Sequence, residues 1–289
     1  MTWFIFNITL FSILFIYLAS LKDGSGLVVL HRYLPRQKEA KSLYREVILL
    51  SSQILKGDKK IELTKYKFFT ALIDTLIISY QKLGLNIHEF LPGLKRALIN
   101  DMRFEKKIHS ELLGGIFQML VTQLMGAFFV FSLRYQVDIR IELSDLVLPI
   151  FIQLAGYIVF LVLFFKVKIS RFEPVESYLK AFYSLNVYLT TRFPVNKINE
   201  KINFDSLCSS KDLQIYKIRA ADFLAQIKNS GSLGEDDVEM TIEELWFLQE
   251  YRFESFLKHL AAIKLFVLIF FFLSSFMLVI LKVMSSFSL

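Results

Sequence analysis

The sequence predicts an all-α integral membrane protein with four transmembrane helices and two cytoplasmic helical-bundle domains arranged as a degenerate repeat. Three observations lead to this prediction. The chain of 289 residues is 54% hydrophobic and contains 30 Phe but only 5 Pro. Its apolar residues collect in four blocks, and its basic residues collect in the two long segments between those blocks. Helical periodicity runs through both long segments.

The four apolar blocks are each close to the ~20 residues that an α-helix needs to cross a hydrocarbon core of about 30 Å. They are Trp3–Ala19, Leu112–Leu133, Leu146–Phe165 and Leu260–Leu281. The second and third contain no Asp, Glu, Lys or Arg. The first has no basic stretch before it and only a weak cleavage pattern after it. We therefore expect a retained anchor at 1–21 rather than a cleaved signal peptide.

Basic residues predict the orientation. Residues 22–113 contain 17 Lys and Arg, residues 167–258 contain 12, and the connector 134–145 contains two. The positive-inside rule therefore places the two long segments in the cytoplasm, and both termini and the short connector outside. The predicted domains are an N-terminal transmembrane anchor at 1–21, cytoplasmic helical domain 1 at 22–113, a transmembrane hairpin with a short periplasmic loop at 112–167, cytoplasmic helical domain 2 at 168–258, and a C-terminal transmembrane helix with a short external tail at 259–289.

The first cytoplasmic segment is predicted to hold three helices, of which the last runs into a span. Residues 44–57 and 64–84 are periodic and end at Gly, a usual residue at a helix C-terminus. After Gly84 a stripe restarts at three-to-four spacing, with Pro92 near its start, where helices tolerate proline. The stripe consists of Leu91, Leu94, Leu98, Met102, Glu105, Ile108 and Leu112.

The second cytoplasmic segment has the same organisation. Helices are predicted over 175–193, 210–231 and 241–264, and Thr241 with Glu244 fits a capping box at the start of the last one. Two segments of similar length, each ending in a helix that enters a span, predict an internal repeat.

The sequence has no pattern typical of an enzyme. It contains no phosphate-binding G-x-x-x-x-G-K-[ST] loop, no H-E-x-x-H and no C-x-x-C, and its four His are scattered. The single Cys208 permits no internal disulfide. The acidic cluster around 235–244 is predicted to be a solvated loop, with a docking patch and a metal site as the alternatives. We predict no enzymatic activity, no cofactor, no metal site and no nucleic-acid partner.

One long stretch resembles the type II secretion F domain: KLGLNIHEFLPGLKRALINDMRFEKKIHSELLGGIFQMLVTQLMGAFFVF, at 82–131. It is most similar to the tight-adherence (Tad) B and C proteins. The resemblance lies in a Gly turn, an acidic-leucine pattern and a basic helix that leads directly into a span. The residues that carry it are Gly84, Leu85, Glu89, Leu91, Leu94, Arg96 and Arg103. The stretch 252–281 resembles the C-terminal end of the same proteins, whereas the acidic GSLGEDDVEMTIEEL at 231–245 departs from their tighter turn.

The resemblance implies a platform protein in the inner (cytoplasmic) membrane, in a Tad-like type IV pilus or a type II-like secretion assembly. Such a protein couples a cytoplasmic secretion ATPase to the insertion or extraction of pilin or pseudopilin subunits. It works in a homo- or hetero-oligomer and with a paralogous platform protein in the bilayer. The residues expected to bind these partners are Gly84, Glu89, Arg96, Arg103, Glu244 and Arg252; binding of anionic lipid is the alternative role for the basic ones.

Two other classes of protein stay open at this point. The chain could be a membrane-anchored helical scaffold or receptor. It could also be a small transporter or channel, in which case Gln118, Gln123 and Gln153 would line the path.

Overall fold

The computed structural model describes residues 37–55, 63–83, 90–137, 143–190, 198, 202, 204–207, 210–230 and 235–287, and every regular element in these ranges is helical. The predicted first span, Trp3–Ala19, lies outside the described residues. The described α-helices are α1 (Gln37–Leu55), α2 (Phe69–Leu83), α3 (Leu91–Val137), α4 (Leu143–Thr190), α5 (Lys211–Ser230), α6 (Glu235–Val267) and α7 (Ser274–Phe287). A short 3₁₀ turn at Phe204–Ser206 precedes α5, and a π-helical turn at Leu268–Leu273 joins α6 to α7.

The chain divides into two compact units. Among the described residues, the apolar unit comprises 107–167 and 257–287, and the polar unit comprises 37–106 and 168–256. Helices α3, α4 and α6 each have residues in both units, because each contains a charged amphipathic part and an apolar part in one unbroken helix.

Within the described ranges, three helices are long and apolar enough to cross a membrane, which makes this a membrane protein. They are Leu91–Leu133, Leu146–Leu189 and Asp237–Ser285. Large apolar side chains cover the outside of their apolar parts, where a soluble protein would place polar residues. Examples on each helix are Phe117, Met125, Phe128, Phe151, Val162, Leu265, Phe270 and Leu281.

The apolar unit packs its three helices closely through small residues. Gly156 on α4 faces the π-helical turn, and a Cβ built there would lie 2.8 Å from Phe271 Cβ. Gly115 on α3 lies against Phe160 and Lys264 in a similar way. Small residues of this kind let transmembrane helices approach each other closely.

The polar unit differs from the prediction of two separate bundle domains at 22–113 and 168–258, because its described residues form one unit. Val187 of α4 is buried in the core formed by α1, α2 and the start of α3. Phe68, Tyr183 and Trp246 pack against this core and also against the second one, formed by α4, α5 and α6. The two halves of the predicted repeat therefore do not form two independent bundles in the described residues.

Three local predictions were wrong. The acidic cluster around 235–244, predicted to be a solvated loop, forms the first turns of α6. The helix predicted over 64–84 begins only at Phe69, because Lys67 adopts a positive φ of 42°. The predicted capping box is absent, because α6 begins at Glu235 and Thr241 lies inside it. The Thr241 hydroxyl donates a hydrogen bond of 2.8 Å to the Asp237 carbonyl of the same helix.

Candidate functional site

Hydrogen bonds to side chains of α1 and α2 fix the segment before α2. The backbone N–H of Tyr66 donates to Thr70 Oγ1 at 2.8 Å, and the Thr70 hydroxyl donates to the Thr64 carbonyl at 2.8 Å. The backbone N–H of Thr64 also donates to Glu46 Oε2 of α1 at 2.7 Å. These bonds hold Lys67 in the left-handed region, which non-glycine residues adopt rarely and at some energetic cost.

The Lys67 ammonium group is the centre of a buried charge network. Its Nζ lies 2.8 Å from Asp101 Oδ1, 2.9 Å from Glu105 Oε1 and 3.5 Å from Glu176 Oε1. Lys168 Nζ lies 3.4 Å from Glu105 Oε2 on the other side. The network joins the segment before α2 to α3 and α4 within the polar unit.

The charge of Lys67 is stable over the physiological pH range. Burial alone would lower the pKa of Lys67, but the carboxylates of Asp101, Glu105 and Glu176 outweigh burial and hold this pKa well above its usual value. The Tyr66 hydroxyl donates a further hydrogen bond to Asp101. Because each buried charge has an opposite charge within reach, the network holds the helices in one arrangement.

A cleft of about 350 Å³ opens in the same unit, between the start of α3, the end of α4 and the first turns of α6. Apolar and polar groups both contribute to its lining, which includes the charged residues Arg96, Glu239 and Glu243. The lining includes Leu72, Leu76, Phe90, Leu94, Ala97, Tyr183, Val187, Ile242 and Trp246. Its size lies within the range of about 300–1,000 Å³ that is usual for ligand pockets.

Charged side chains flank the cleft on two helices. Arg96 Nη1 of α3 lies 3.9 Å from Glu243 Oε1 of α6, and both side chains are largely exposed. Inside the cleft, Trp246 Nε1 donates to the Tyr183 hydroxyl at 2.9 Å. The cleft can therefore accept an apolar side chain of a partner while charged groups meet at its edge.

The structure separates the residues that the sequence predicted to bind partners. Arg96 is on the cleft rim, whereas Glu244 accepts a 2.6 Å hydrogen bond from Arg219 of α5. Arg103 is exposed on α3. Gly84 and Glu89 lie outside the described residues. Their common role in partner binding stays a prediction.

Arg252 lies inside the polar unit. Its side chain is 9% exposed, and its Nη1 donates to the Arg171 carbonyl of α4 at 3.0 Å. Its Nη2 lies 3.3 Å from Ser210 Oγ and 3.5 Å from Asp212 Oδ2 at the start of α5. The described contacts of Arg252 thus join three helices of the unit.

The charge network was not predicted, although one signal of it is present in the sequence. Glu105 occupies a position in the otherwise apolar stripe of α3, and the structure buries it. A carboxylate at a stripe position indicates a buried partner cation. The partner Lys67 is 38 residues earlier in a segment predicted to be helical, so the sequence pattern could not identify it.

The apolar unit contains polar side chains that face its interior. The Tyr157 hydroxyl donates to Gln123 Oε1 at 3.0 Å, and the Ser275 hydroxyl donates to the Pro149 carbonyl at 3.0 Å. Gln153 is also buried. Of the glutamines predicted to line a channel, Gln123 and Gln153 lie between helices and Gln118 is exposed.

In the described parts of the chain, no group of three or more His, Cys, Asp or Glu side chains is arranged to hold a metal ion. In these parts, the surfaces available to a partner are the cleft with its charged rim and the helix faces beside it. Neither a family model, nor a curated protein, nor a solved structure matches this chain.

Proposed function

We propose that this chain is an inner-membrane platform protein of a Tad-like type IV pilus or a type II-like secretion assembly. It couples a cytoplasmic secretion ATPase to the insertion or extraction of pilin subunits. The observation that carries the proposal is that α3, α4 and α6 each join a charged part to an apolar part within one helix.

Moving a pilin subunit out of the bilayer requires work. A pilin that leaves the bilayer exposes its apolar helix, at ~1.5–3 kcal/mol for each large apolar side chain. The total is on the order of tens of kcal/mol before packing in the filament offsets it. The sequence contains no phosphate-binding loop, so the nucleotide cycle belongs to a separate motor protein.

Continuous helices suit the transmission of such work. A Gly/Ser linker between a motor-binding part and a span would absorb a displacement as a flexible coil, whereas a helix transmits rotation or translation along its axis. The network around Lys67 supports this role, because it binds α3 to α4 through Asp101, Glu105 and Glu176.

The cleft is the best-supported contact for the motor. It combines the partly buried indole of Trp246 with charged side chains on its rim, and interfaces typically place an apolar anchor inside a polar rim. We expect Arg96→Glu to weaken binding of the ATPase without unfolding the chain, because the Arg96 side chain is 78% exposed.

The test inserts Gly-Ser-Gly into α3 after Ser110 in the full chain. We expect the variant to bind a co-expressed secretion ATPase but to assemble no pili, because the continuous helix is broken. The matched control places the same insertion in the connector 138–142 and should leave pili intact. Normal piliation with the first insertion would contradict the lever role.

A second outcome distinguishes the alternatives. If the ATPase does not bind the chain in nanodiscs, and deletion of the gene leaves piliation unchanged, the membrane-anchored scaffold or receptor becomes the better description. Substrate flux in proteoliposomes would instead favour a transporter or channel.

A further inference from the structure

Helix α6 presents exposed apolar side chains in the polar unit, away from its apolar part. Met240, Phe247 and Tyr251 are 58%, 75% and 65% exposed. Their spacing of seven and four residues places them on one side of the helix. Exposed aromatic residues clustered in this way mark surfaces that bind another protein.

Acidic residues surround these side chains. Glu239, Glu243 and Glu254 are exposed along the same helix. Beside them, Tyr216, Glu244, Phe247 and Tyr251 border an open groove of about 450 Å³ between α5 and α6. We call this surface, made of Met240, Glu243, Phe247, Tyr251 and Glu254, the acidic face.

Helix α3 presents the opposite charge. Arg96, Arg103 and Lys106 are exposed along its amphipathic part, and this set is called the basic face. The chain therefore carries two exposed helix faces of complementary charge in one unit.

The acidic face and the basic face lie at the same position along the axes of α6 and α3. Within the chain α3 and α6 run side by side and parallel, as two contacts show. Arg96 meets Glu243, and the rings of Phe104 and Phe253 are 5.8 Å apart. The members of these pairs differ by 147 and 149 in residue number.

Residues of α3 and α6 whose numbers differ by about 148 therefore lie at the same position along the two helix axes. Arg103 and Tyr251 differ by 148, as do Lys106 and Glu254. A second copy related by rotation about an axis parallel to these helices keeps every residue at its height. Such a rotation brings the cations of α3 level with the aromatic ring and the carboxylate of α6.

The two faces also point in suitable directions. Lys106 follows Phe104 by two positions, and Tyr251 precedes Phe253 by two positions, which is about 200° around an α-helix in each case. Because Phe104 and Phe253 face each other, Lys106 and Tyr251 point away from their contact. Within one chain the two faces meet at Arg96 and Glu243. Lys106 and Tyr251 point away from each other, so only a second copy can bring a partner to them.

We propose that the acidic face of α6 in one copy docks on the basic face of α3 in a second copy. The Arg103 guanidinium covers the Tyr251 ring, and the Lys106 ammonium pairs with the Glu254 carboxylate. The contact is heterologous, so repeating it gives a ring where the rotation closes. The proposal does not depend on the proposed function, because it concerns only copies of this chain.

The test uses the full chain in the Cys208→Ser background, which has no other cysteine. Lys106→Cys and Glu254→Cys are made in separate, differently tagged chains that are co-expressed and oxidised in native membranes. We expect a disulfide dimer that contains both tags. The control replaces Lys106→Cys by Lys41→Cys, on an exposed position of α1, and should give at least about fivefold less of that dimer.

A charge exchange tests the pairing independently of folding. Lys106→Glu alone and Glu254→Lys alone should each lower the oligomeric fraction in nanodiscs by about fivefold, because each places like charges together. The variant with both changes restores the opposite charges and should restore the oligomer. Light scattering and the cross-link yield measure both effects.

Three results would overturn the proposal. The first is a chain that is monomeric in nanodiscs and yields no mixed dimer above the Lys41→Cys control. The second is a dimer formed between two Glu254→Cys chains instead of the mixed one, which indicates symmetric docking. The third is a double exchange that fails to restore the oligomer although it melts like the unmodified chain, which assigns the basic face to anionic lipid.

Discussion

Lys67 Nζ lies 2.8 Å from Asp101 Oδ1, and this pair fixes the segment before α2 against α3. The side chains of the pair are 15% and 5% exposed, so water contributes little to the stability of either charge. Lys67 reaches Asp101 from a backbone conformation with φ of 42°, which the structure tolerates because its ammonium group gains three carboxylate neighbours.

We expect Lys67→Met to destabilise the polar unit by about 3–5 kcal/mol, because removing one member of a buried ion pair leaves the other uncompensated. Thermal unfolding in detergent or nanodiscs measures the effect. The matched control is Lys65→Met, two residues earlier on an exposed position, which should change the melting temperature little. Equal effects of the two substitutions would contradict a stabilising role for the network.

Glu46 gives the polar unit an acid-sensitive contact. Burial alone would raise the pKa of Glu46, but hydrogen bonds from the backbone N–H of Thr64 and from the Thr64 and Ser42 hydroxyls outweigh it and lower this pKa below its ordinary value of 4.5. A lowered pKa in the folded state contributes stability that is fully present above pH 4.5 and is lost as the pH falls through the folded pKa.

The expected result is a shallower acid profile in Glu46→Gln. Between pH 7 and pH 4.5 the unmodified chain should keep this part of its stability, and below pH 4.5 it should lose it, whereas Glu46→Gln lacks the charged acceptor at every pH. Melting temperatures across this range test the prediction. Asp74→Asn, on an exposed position of α2, is the control and should follow the unmodified chain.

The helical architecture was largely predictable from the sequence, because period and apolar run length report on local structure. The three long helices contain the blocks Leu112–Leu133, Leu146–Phe165 and Leu260–Leu281 that hydropathy identifies. The packing of the two long segments into one unit was not predictable, because it depends on contacts between distant residues such as Val187 and the core of α1 and α2.

The functional surfaces were predictable only in part. Arg96, Arg103 and Glu244 were identified from a family resemblance and a charge pattern, and the structure places all three on helix faces that are at least partly exposed. Arg252 looks the same in the sequence but is buried, because its neighbours Arg171 and Asp212 come from other helices. A periodic pattern predicts which residues share one face of a helix, but it does not predict which other helix covers that face.

Gly156 tests the close packing of the apolar unit. We expect Gly156→Ala to destabilise it by about 1–3 kcal/mol, because the added Cβ would lie 2.8 Å from Phe271 Cβ, which cannot move without its backbone. Gly114→Ala is the matched control, since nothing lies within 4 Å of a Cβ at that position. Unfolding in a denaturing detergent compares the two. A Gly114→Ala variant as unstable as Gly156→Ala would show that the effect is not one of packing.

Two buried glutamines in the apolar unit should respond differently to the same substitution. Gln123 accepts a 3.0 Å hydrogen bond from the Tyr157 hydroxyl, so Gln123→Leu leaves that hydroxyl without this acceptor among apolar side chains. Hydrogen bonds between transmembrane helices contribute about 0.6 kcal/mol on average and up to about 1.7 kcal/mol, and we expect a loss of stability in that range.

Gln153→Leu should be neutral or stabilising. Gln153 is 7% exposed, and in the described ranges no donor lies within hydrogen-bonding distance of its Oε1. Replacing a buried carbonyl that lacks a donor by an apolar side chain of similar size removes a desolvation penalty of about 1–3 kcal/mol. Unfolding of the two leucine variants under one set of conditions gives the comparison. If Gln153→Leu were the less stable of the two, Gln153 would have a donor that these helices do not supply, and the interior of the apolar unit would be a binding site rather than packing.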